Sequence, residues 1–127
     1  MSTLKVSEII ATGETAGRAV SGIAAAWVNF NGTGTVAIRD SVNVASITDQ
    51  GTGDYTVNVT DGMNNAYYTI SVNASIDGVG YTGQQNAQPK ADSAPTSSSY
   101  RIASSNSIDA ILSDASRVYS NIHGDLA

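Results

Sequence analysis

The chain has 127 residues, of which 41% are hydrophobic and 13% charged, with no cysteine and a formal net charge of −5. This length suits one domain with a single core, and the lack of cysteine excludes disulfides and thiolate chemistry. Acidic charge with scattered cations argues against nucleic acid as a partner, and no apolar run approaches the ~20 residues of a membrane span.

The first 23 residues show no sustained hydrophobic period and do not resemble a secretory signal, so export by that route is not expected. Alone, this segment has too few apolar residues to stay ordered. We predict that residues 1–23 are an attachment or oligomerisation segment, either a tether or a segment ordered by copies of itself or by a host structure. Its candidate attachment residues are Leu4, Val6, Ile9 and Ile10.

From residue 24 onward, alternation of apolar and polar residues predicts β-strands. Residues 27–30 are typical of a strand that ends at Asn31. Residues 35–47 also alternate, except that Asp40 falls on the apolar parity. We expect a bulge or bend near Asp40 that turns its carboxylate outward and divides this run into two short strands.

Two further alternating stretches follow the turn cluster at residues 49–54. Residues 55–60 give the clearest strand pattern in the chain, and residues 67–77 alternate again. The side chains that this alternation predicts to face the core are Tyr55, Val57, Val59, Tyr68, Ile70, Val72, Ala74 and Ile76.

Between Gly78 and Ser99 the alternation is lost. About twenty residues without secondary structure are unusual in a small domain, and such loops are commonly functional or poorly ordered. We therefore predict a variable, partner-facing loop here. Its candidate residues, which offer a ring for stacking, amides for hydrogen bonds and one cation, are Tyr81, Gln84, Gln85, Asn86 and Lys90.

The C-terminal stretch permits two interpretations. Its apolar residues from Ile108 to Ile122 fit helical spacing, with Ser107 as a possible cap. The same residues can be divided into two strands around a turn at residues 113–114, the second strand running from Arg117 to His123. Periodicity slightly favours the helix, whereas the strands upstream favour two more strands.

The glycine pair in Gly32-Thr33-Gly34 is the first candidate for chemistry, but it does not fit a nucleotide loop. Ala37 stands where the third glycine of GxGxxG belongs, a β-branched strand pattern follows, and no P-loop lysine is present. The preferred interpretation is a hairpin in which Asn-Gly supplies the positive φ that tight turns need.

No catalytic constellation is apparent. His123 is the only histidine, there is no GxSxG nucleophile motif, and the aspartates lack calcium-loop spacing. We expect no enzymatic activity, no cofactor and no metal, with one exception left open. In a trimer, three copies of His123 could meet on the axis and bind an ion.

Two stretches resemble a module found in bacteriophage tail-fibre and other virion fibre proteins. These are AWVNFNG at Ala26–Gly32 and SITDQGTGDYTVN at Ser46–Asn58. The opening residues Ser2–Val6 are also similar to the start of many phage fibre chains, and residues 99–102 and 118–124 match the last strands of the module more weakly. The resemblance implies a β-sandwich-like module assembled as a homotrimer on a virion, without enzymatic activity.

Together, residues and resemblance predict an all-β chain with an antiparallel β-sandwich over residues 24–127. The expected function is that of a phage virion structural protein, a short trimeric fibre or capsid decoration protein (head fibre). It would be made in the bacterial cytoplasm and joined to other capsid or tail proteins through residues 1–23. The alternative is the tip of a tail-fibre adhesin that binds a host-surface glycan. Neither nucleic acid nor membrane insertion is expected.

Overall fold

The computed structural model of the chain describes residues 1–10, 12–78 and 85–127. In these ranges there is no α-helix, and a single 3-10 turn occurs at Val20–Gly22. The strands are β1 Glu8–Ile9, β2 Arg18–Ala19, β3 Ala26–Asn31, β4 Ala37–Val42, β5 Val44–Gly51, β6 Asp54–Val59, β7 Thr69–Ser75, β8 Gln85–Pro89, β9 Ser99–Asn106 and β10 Arg117–His123.

Eight strands form two four-stranded sheets, and β1 pairs with β2 in a separate short ribbon. The first sheet has the order β4-β3-β10-β7, and the second has the order β5-β6-β9-β8. All of the strand pairs are antiparallel. The predicted all-β, antiparallel, sandwich-like fold is therefore confirmed.

The core lies on the inner faces of the four central strands. Every second residue of β3, β6, β9 and β10 is buried, as expected for strands with one face packed and one face outward. The predicted inward positions Tyr55, Val57 and Val59 are all buried. Across from them, Phe30 packs its ring edge against Tyr55 with 5.2 Å between ring centroids.

Three tyrosines from the core side carry hydroxyl groups that find internal acceptors. The Tyr55 hydroxyl lies 3.0 Å from the Gly32 carbonyl oxygen and 3.0 Å from Asp114 Oδ1. The Tyr68 hydroxyl donates to a loop carbonyl at 2.8 Å, and the Tyr100 hydroxyl lies 3.0 Å from a buried serine hydroxyl on β10. Buried hydroxyls need such partners, because an unpaired one costs about 1–3 kcal/mol.

The β3–β4 connection is a hairpin turn, but the expected role of Asn-Gly in it is wrong. Positive φ occurs at Gly34, where φ is 60°, and not at Gly32. The Asn31 side chain shapes the turn, since its Oδ1 accepts the Thr33 backbone N–H at 3.1 Å. Gly32 is needed for space, because a Cβ there would meet the Tyr55 hydroxyl and would lie 2.9 Å from the Ala115 carbonyl oxygen.

The expected division of residues 35–47 into two strands is confirmed, although the corner lies later than predicted. The register of β3 against β4 shifts between Asn29 and Phe30, which places a bulge beside Asp40 and leaves Asp40 exposed. The chain passes to the second sheet at Asn43, where φ is 56°. The Asn43 side chain holds this corner by donating to the Ala25 carbonyl at 3.1 Å and accepting the Asp61 N–H at 2.7 Å.

Two expectations about the C-terminal half are resolved by β8 and β10. Arg117–His123 is a strand at the predicted bounds, and the helical alternative is wrong, because these residues pair with both β3 and β7. The prediction of a loop without secondary structure from Gly78 to Ser99 is also wrong for Gln85–Pro89. Those residues pair with β9 through their backbone, so their polar sequence carries no alternation.

Replacing Gly32 with alanine should destabilise the fold, because the added methyl group overlaps the Tyr55 hydroxyl and crowds the Ala115 carbonyl. We expect a loss of about 1–3 kcal/mol in the free energy of unfolding, measured by urea denaturation. Gly22→Ala is the matched control, since a Cβ at Gly22 meets nothing within 4 Å. Equal midpoints for the two variants would contradict the close approach at Gly32.

Alkaline pH should unfold the protein through its buried tyrosines. Burial raises the pKa of Tyr55, Tyr68 and Tyr100, in the last case to about 12. Because the unfolded phenol titrates near pH ~10, the unfolded chain loses these protons first. The stabilisation is complete below about pH 10 and is lost as the pH rises toward the folded pKa.

Tyr100 alone should lower the free energy of unfolding by up to about 1.4 kcal/mol per pH unit in that window. The measurement is urea denaturation at a series of alkaline pH values, with phenolate absorbance recorded in parallel. Tyr100→Phe should flatten the dependence of the free energy of unfolding on pH. An unchanged slope in that variant would show that Tyr100 does not cause the alkaline destabilisation.

Candidate functional site

The predicted attachment residues are exposed. Leu4 is 84% exposed, and Val6, Ile9 and Ile10 are each about half exposed. The described residues of this segment form the β1–β2 ribbon and the 3-10 turn at Val20–Gly22. Next to the ribbon, the Val20 N–H donates to the Ser7 carbonyl at 3.2 Å. A run of large apolar side chains in water is an unusual surface, and such surfaces mark sites of interaction.

A mostly apolar hollow of about 210 Å³ lies where this segment joins the sandwich. Its floor combines the end of the N-terminal segment with the C-terminal residues that follow β10. The lining residues are Val20, Ser21, Ile23, Ala24, Ala25, Gly124, Asp125 and Leu126. Val20, Ile23 and Leu126 remain between 38% and 54% exposed, so the hollow extends the exposed apolar surface onto the body of the domain.

Three of the predicted partner-facing residues, Gln85, Asn86 and Lys90, lie in the described part of the chain. Tyr81 and Gln84 lie outside it. Gln85 begins β8, is half-buried, and accepts a hydrogen bond from the Ser104 hydroxyl at 3.2 Å. Asn86 is exposed on β8. Lys90 is engaged in ion pairs, with its Nζ 3.5 Å from Asp54 Oδ2 and 3.1 Å from Asp92 Oδ1.

Lys90 belongs to an ionic cluster that fastens the edge strand β8 to the rest of the second sheet. Arg101 on β9 binds Asp54 on β6 in a two-pronged pair, with Nη2–Oδ2 at 2.6 Å and Nε–Oδ1 at 3.2 Å. Asp54 is 8% exposed and therefore depends on these partners. The hydrogen bond from Lys90 lowers the pKa of the exposed Asp92 carboxyl.

The remaining outer face of the second sheet is also paired within itself. The Asn58 amide donates to the Ser46 hydroxyl at 3.1 Å and to the Thr48 hydroxyl at 3.0 Å. Nearby, the Gln50 amide donates to the Thr56 hydroxyl at 3.1 Å. These side chains form their hydrogen bonds with one another across neighbouring strands, and such pairs stabilise a sheet.

The outer face of the first sheet is organised differently. Residues directly opposite one another in an antiparallel pair share a face, and the register places Trp27 beside Asn121 and Asn29 beside Tyr119. On the far side of β10, Ser71 lies opposite Asn121 and Asn73 lies opposite Tyr119. We call the surface formed by Trp27, Asn29, Ser71, Asn73, Tyr119 and Asn121 the ring face.

The ring face was missed in the sequence, although a signal for it was present. The parity that sends Val28 and Phe30 into the core must send Trp27 and Asn29 outward. Likewise, burial of Val118 on β10 leaves Tyr119 outward and 40% exposed. In the sequence, Trp27 contributes only to the strand motif AWVNFNG.

Within residues 1–10, 12–78 and 85–127, no group of three or more His, Cys, Asp or Glu side chains is placed to hold a metal ion. His123 lies at the end of β10 opposite Thr69 and is half-buried. The same ranges contain no helix that is long and apolar enough to cross a membrane.

Comparison with known proteins returned no relative. No protein-family model, no curated protein and no solved structure matches the chain. The resemblance to virion fibre modules therefore stays a prediction that rests on the two quoted stretches.

The ionic cluster yields a stability prediction with a matched control. Arg101→Met should lower the free energy of unfolding by about 1–3 kcal/mol, because it leaves the largely buried Asp54 carboxylate short of its best donor. Arg117→Met removes a pair of similar length, Arg117–Asp77 at 2.7 Å, in which both side chains are 52% exposed. That change should cost less than about 1 kcal/mol.

Thermal and urea denaturation of the two variants test this difference. Equal losses would show that burial of Asp54 does not set the strength of its ion pair.

Proposed function

We propose that this chain is a structural protein of a bacteriophage virion, a short trimeric fibre or capsid decoration protein. Residues 1–23 attach it to other virion proteins or to its own copies, and residues 24–127 project outward as a β-sandwich. The observation that carries the proposal is the exposed apolar surface formed by Leu4, Val6, Ile9 and Ile10, together with the apolar hollow at their junction with the sandwich.

Exposed apolar surface of this kind favours assembly. Burying one Leu, Ile or Val side chain contributes about 1.5–3 kcal/mol, so covering several of them offsets the entropy lost when an extended segment is ordered. A single copy leaves these side chains in water. A neighbouring copy or another virion protein supplies the missing apolar surface.

The composition of the two sheets suits a module that projects into solvent. Their outer faces carry mostly hydroxyl and amide side chains, such as Thr56 and Asn58 on one sheet and Ser71 and Asn73 on the other. These groups hydrate well, while strands with few charges avoid strong repulsion between neighbouring copies. Trimeric assembly is taken from the resemblance to virion fibre modules.

Assembly through the N-terminal segment is tested by replacing its apolar side chains. The full chain should sediment as a trimer of 13.0 kDa subunits in analytical ultracentrifugation. A variant with Leu4→Ser, Val6→Ser, Ile9→Ser and Ile10→Ser should be a folded monomer, because these changes touch no core residue.

The control carries Ile108→Ser and Ile111→Ser, which alter two equally exposed apolar residues in the β9–β10 connection. It should remain a trimer. A full chain that is monomeric at all concentrations, or a trimer that survives the fourfold change, would exclude assembly through residues 1–23.

Placement on the virion is tested separately. Particles produced from the genome that encodes the chain should contain it in stoichiometric amounts, as measured by mass spectrometry of purified particles. Its absence from the particles would reject the proposed function.

A further inference from the structure

The ring face has a regular layout that follows from strand register. Two rows cross the first sheet, one through Trp27, Asn121 and Ser71, and the other through Asn29, Tyr119 and Asn73. The residues that carry the two rings therefore occupy diagonal positions on β3 and β10, with backbone positions about 7–8 Å apart. Amide side chains occupy the other two corners between them.

The polar groups of the ring face lack partners, in contrast to those of the second sheet. Among the residues that the structure describes, the side chains of Trp27, Asn73, Tyr119 and Asn121 accept or donate no hydrogen bond. Asn29 accepts only a long one, at 3.5 Å from Arg39 Nη1. The indole N–H, the phenol and the amides are thus free to bind an external molecule.

This combination matches the chemistry of sugars. A pyranose ring presents apolar C–H groups on its faces and hydroxyl groups around its rim. Tyr119 is 40% exposed and Trp27 is half-buried, and partly exposed aromatic rings supply apolar contact area with a polar edge. Each amide offers both donors and an acceptor to the hydroxyls. Two rings with amides between them can contact successive sugar units of a chain.

Charge restricts the ligand further. The six residues of the ring face are uncharged, and the charged side chains Arg39, Asp40 and Arg117 lie at its borders with both signs present. A polyanion such as nucleic acid or a sulfated glycan finds no cluster of cations here. The face also differs from an interface between copies, whose centre is typically apolar. Val42, opposite Trp27 on β4 and 48% exposed, is an apolar residue at its border, while four of its own six residues are Asn or Ser.

We propose that the ring face binds an uncharged oligosaccharide, with Trp27 and Tyr119 stacking on sugar rings and Asn73 and Asn121 bonding to their hydroxyl groups. This site is distinct from the segment that contains Tyr81 and Gln84. It also does not depend on the N-terminal segment. The two proposals can fail independently. A virion protein that binds no sugar would contradict this proposal alone, and a sugar-binding protein that is absent from virions would contradict the proposed function alone.

Trp27 is the single tryptophan of the chain, so its emission reports directly on the face. The full chain is titrated with hexasaccharides of glucose, mannose, galactose, rhamnose and N-acetylglucosamine, and with heparin hexasaccharide as the charged comparison. We expect a saturable change in emission with at least one uncharged sugar and none with heparin. Absence of any uncharged binder, or stronger binding of heparin, overturns the proposal.

Variants locate the binding on the face. Tyr119→Ala should weaken affinity by about tenfold or more, while Tyr119→Phe, which keeps the ring, should stay within about threefold. Asn121→Ala should weaken binding, whereas Asn58→Ala, on the outer face of the other sheet, should leave it unchanged. Circular dichroism checks that each variant is folded.

Unchanged affinity in Tyr119→Ala would refute the site. If Trp27 emission depends on protein concentration in the absence of sugar, and Tyr119→Ala abolishes this dependence, the ring face is an interface between copies. That result would also refute the sugar site.

Discussion

One buried phenol holds one end of the sandwich together. Tyr55 rises from β6 in the second sheet, and its hydroxyl reaches both the Gly32 carbonyl, in the β3–β4 turn of the first sheet, and the Asp114 carboxylate, in the β9–β10 connection. Asp114 also accepts the Gly53 N–H at 2.7 Å, and the Gly32 N–H donates to Ala115. Three connections therefore share a single polar node, and the buried hydroxyl and the half-buried carboxylate depend on these partners.

The two outer faces of the sandwich show how the same residue types serve different ends. On the second sheet, the hydroxyl and amide groups pair with one another, and Arg101 and Lys90 close on Asp54. The donors and acceptors of these side chains are therefore already bonded to one another. On the first sheet, the Asn73 and Asn121 amides have no partner among the described residues, Asn29 has only one long hydrogen bond, and two rings stand beside them. The apolar surface of the proposed assembly lies elsewhere, on the N-terminal segment, so the proposed assembly and the proposed sugar binding need not compete for one surface.

Three strands could be predicted from the sequence because each buries one face and leaves the other in water. That constraint gives β3, β6 and β7 a period of two. β10 has the same period, but the apolar residues from Ile108 to Ile122 also fit helical spacing, so the sequence left both structures open. Edge strand β8 escaped prediction because backbone pairing with β9 specifies it, and no buried face imposes a period. The role of Gly32 also escaped, since it depends on Tyr55, which is distant in sequence. The ring face was implicit in the same alternation, but parity alone does not show which outward side chains lack partners.

The pairing of β3 with β10 has a consequence for the way the chain is made. These two strands come from opposite ends of the domain, yet they are neighbours in the middle of the first sheet. Contacts between residues so far apart in sequence form slowly, because a long loop must close before they contribute. The first sheet cannot be completed until Ile122 has left the ribosome, so β3 waits with its apolar face uncovered until β10 has been made. The nascent domain is therefore most vulnerable to aggregation just before β10 arrives.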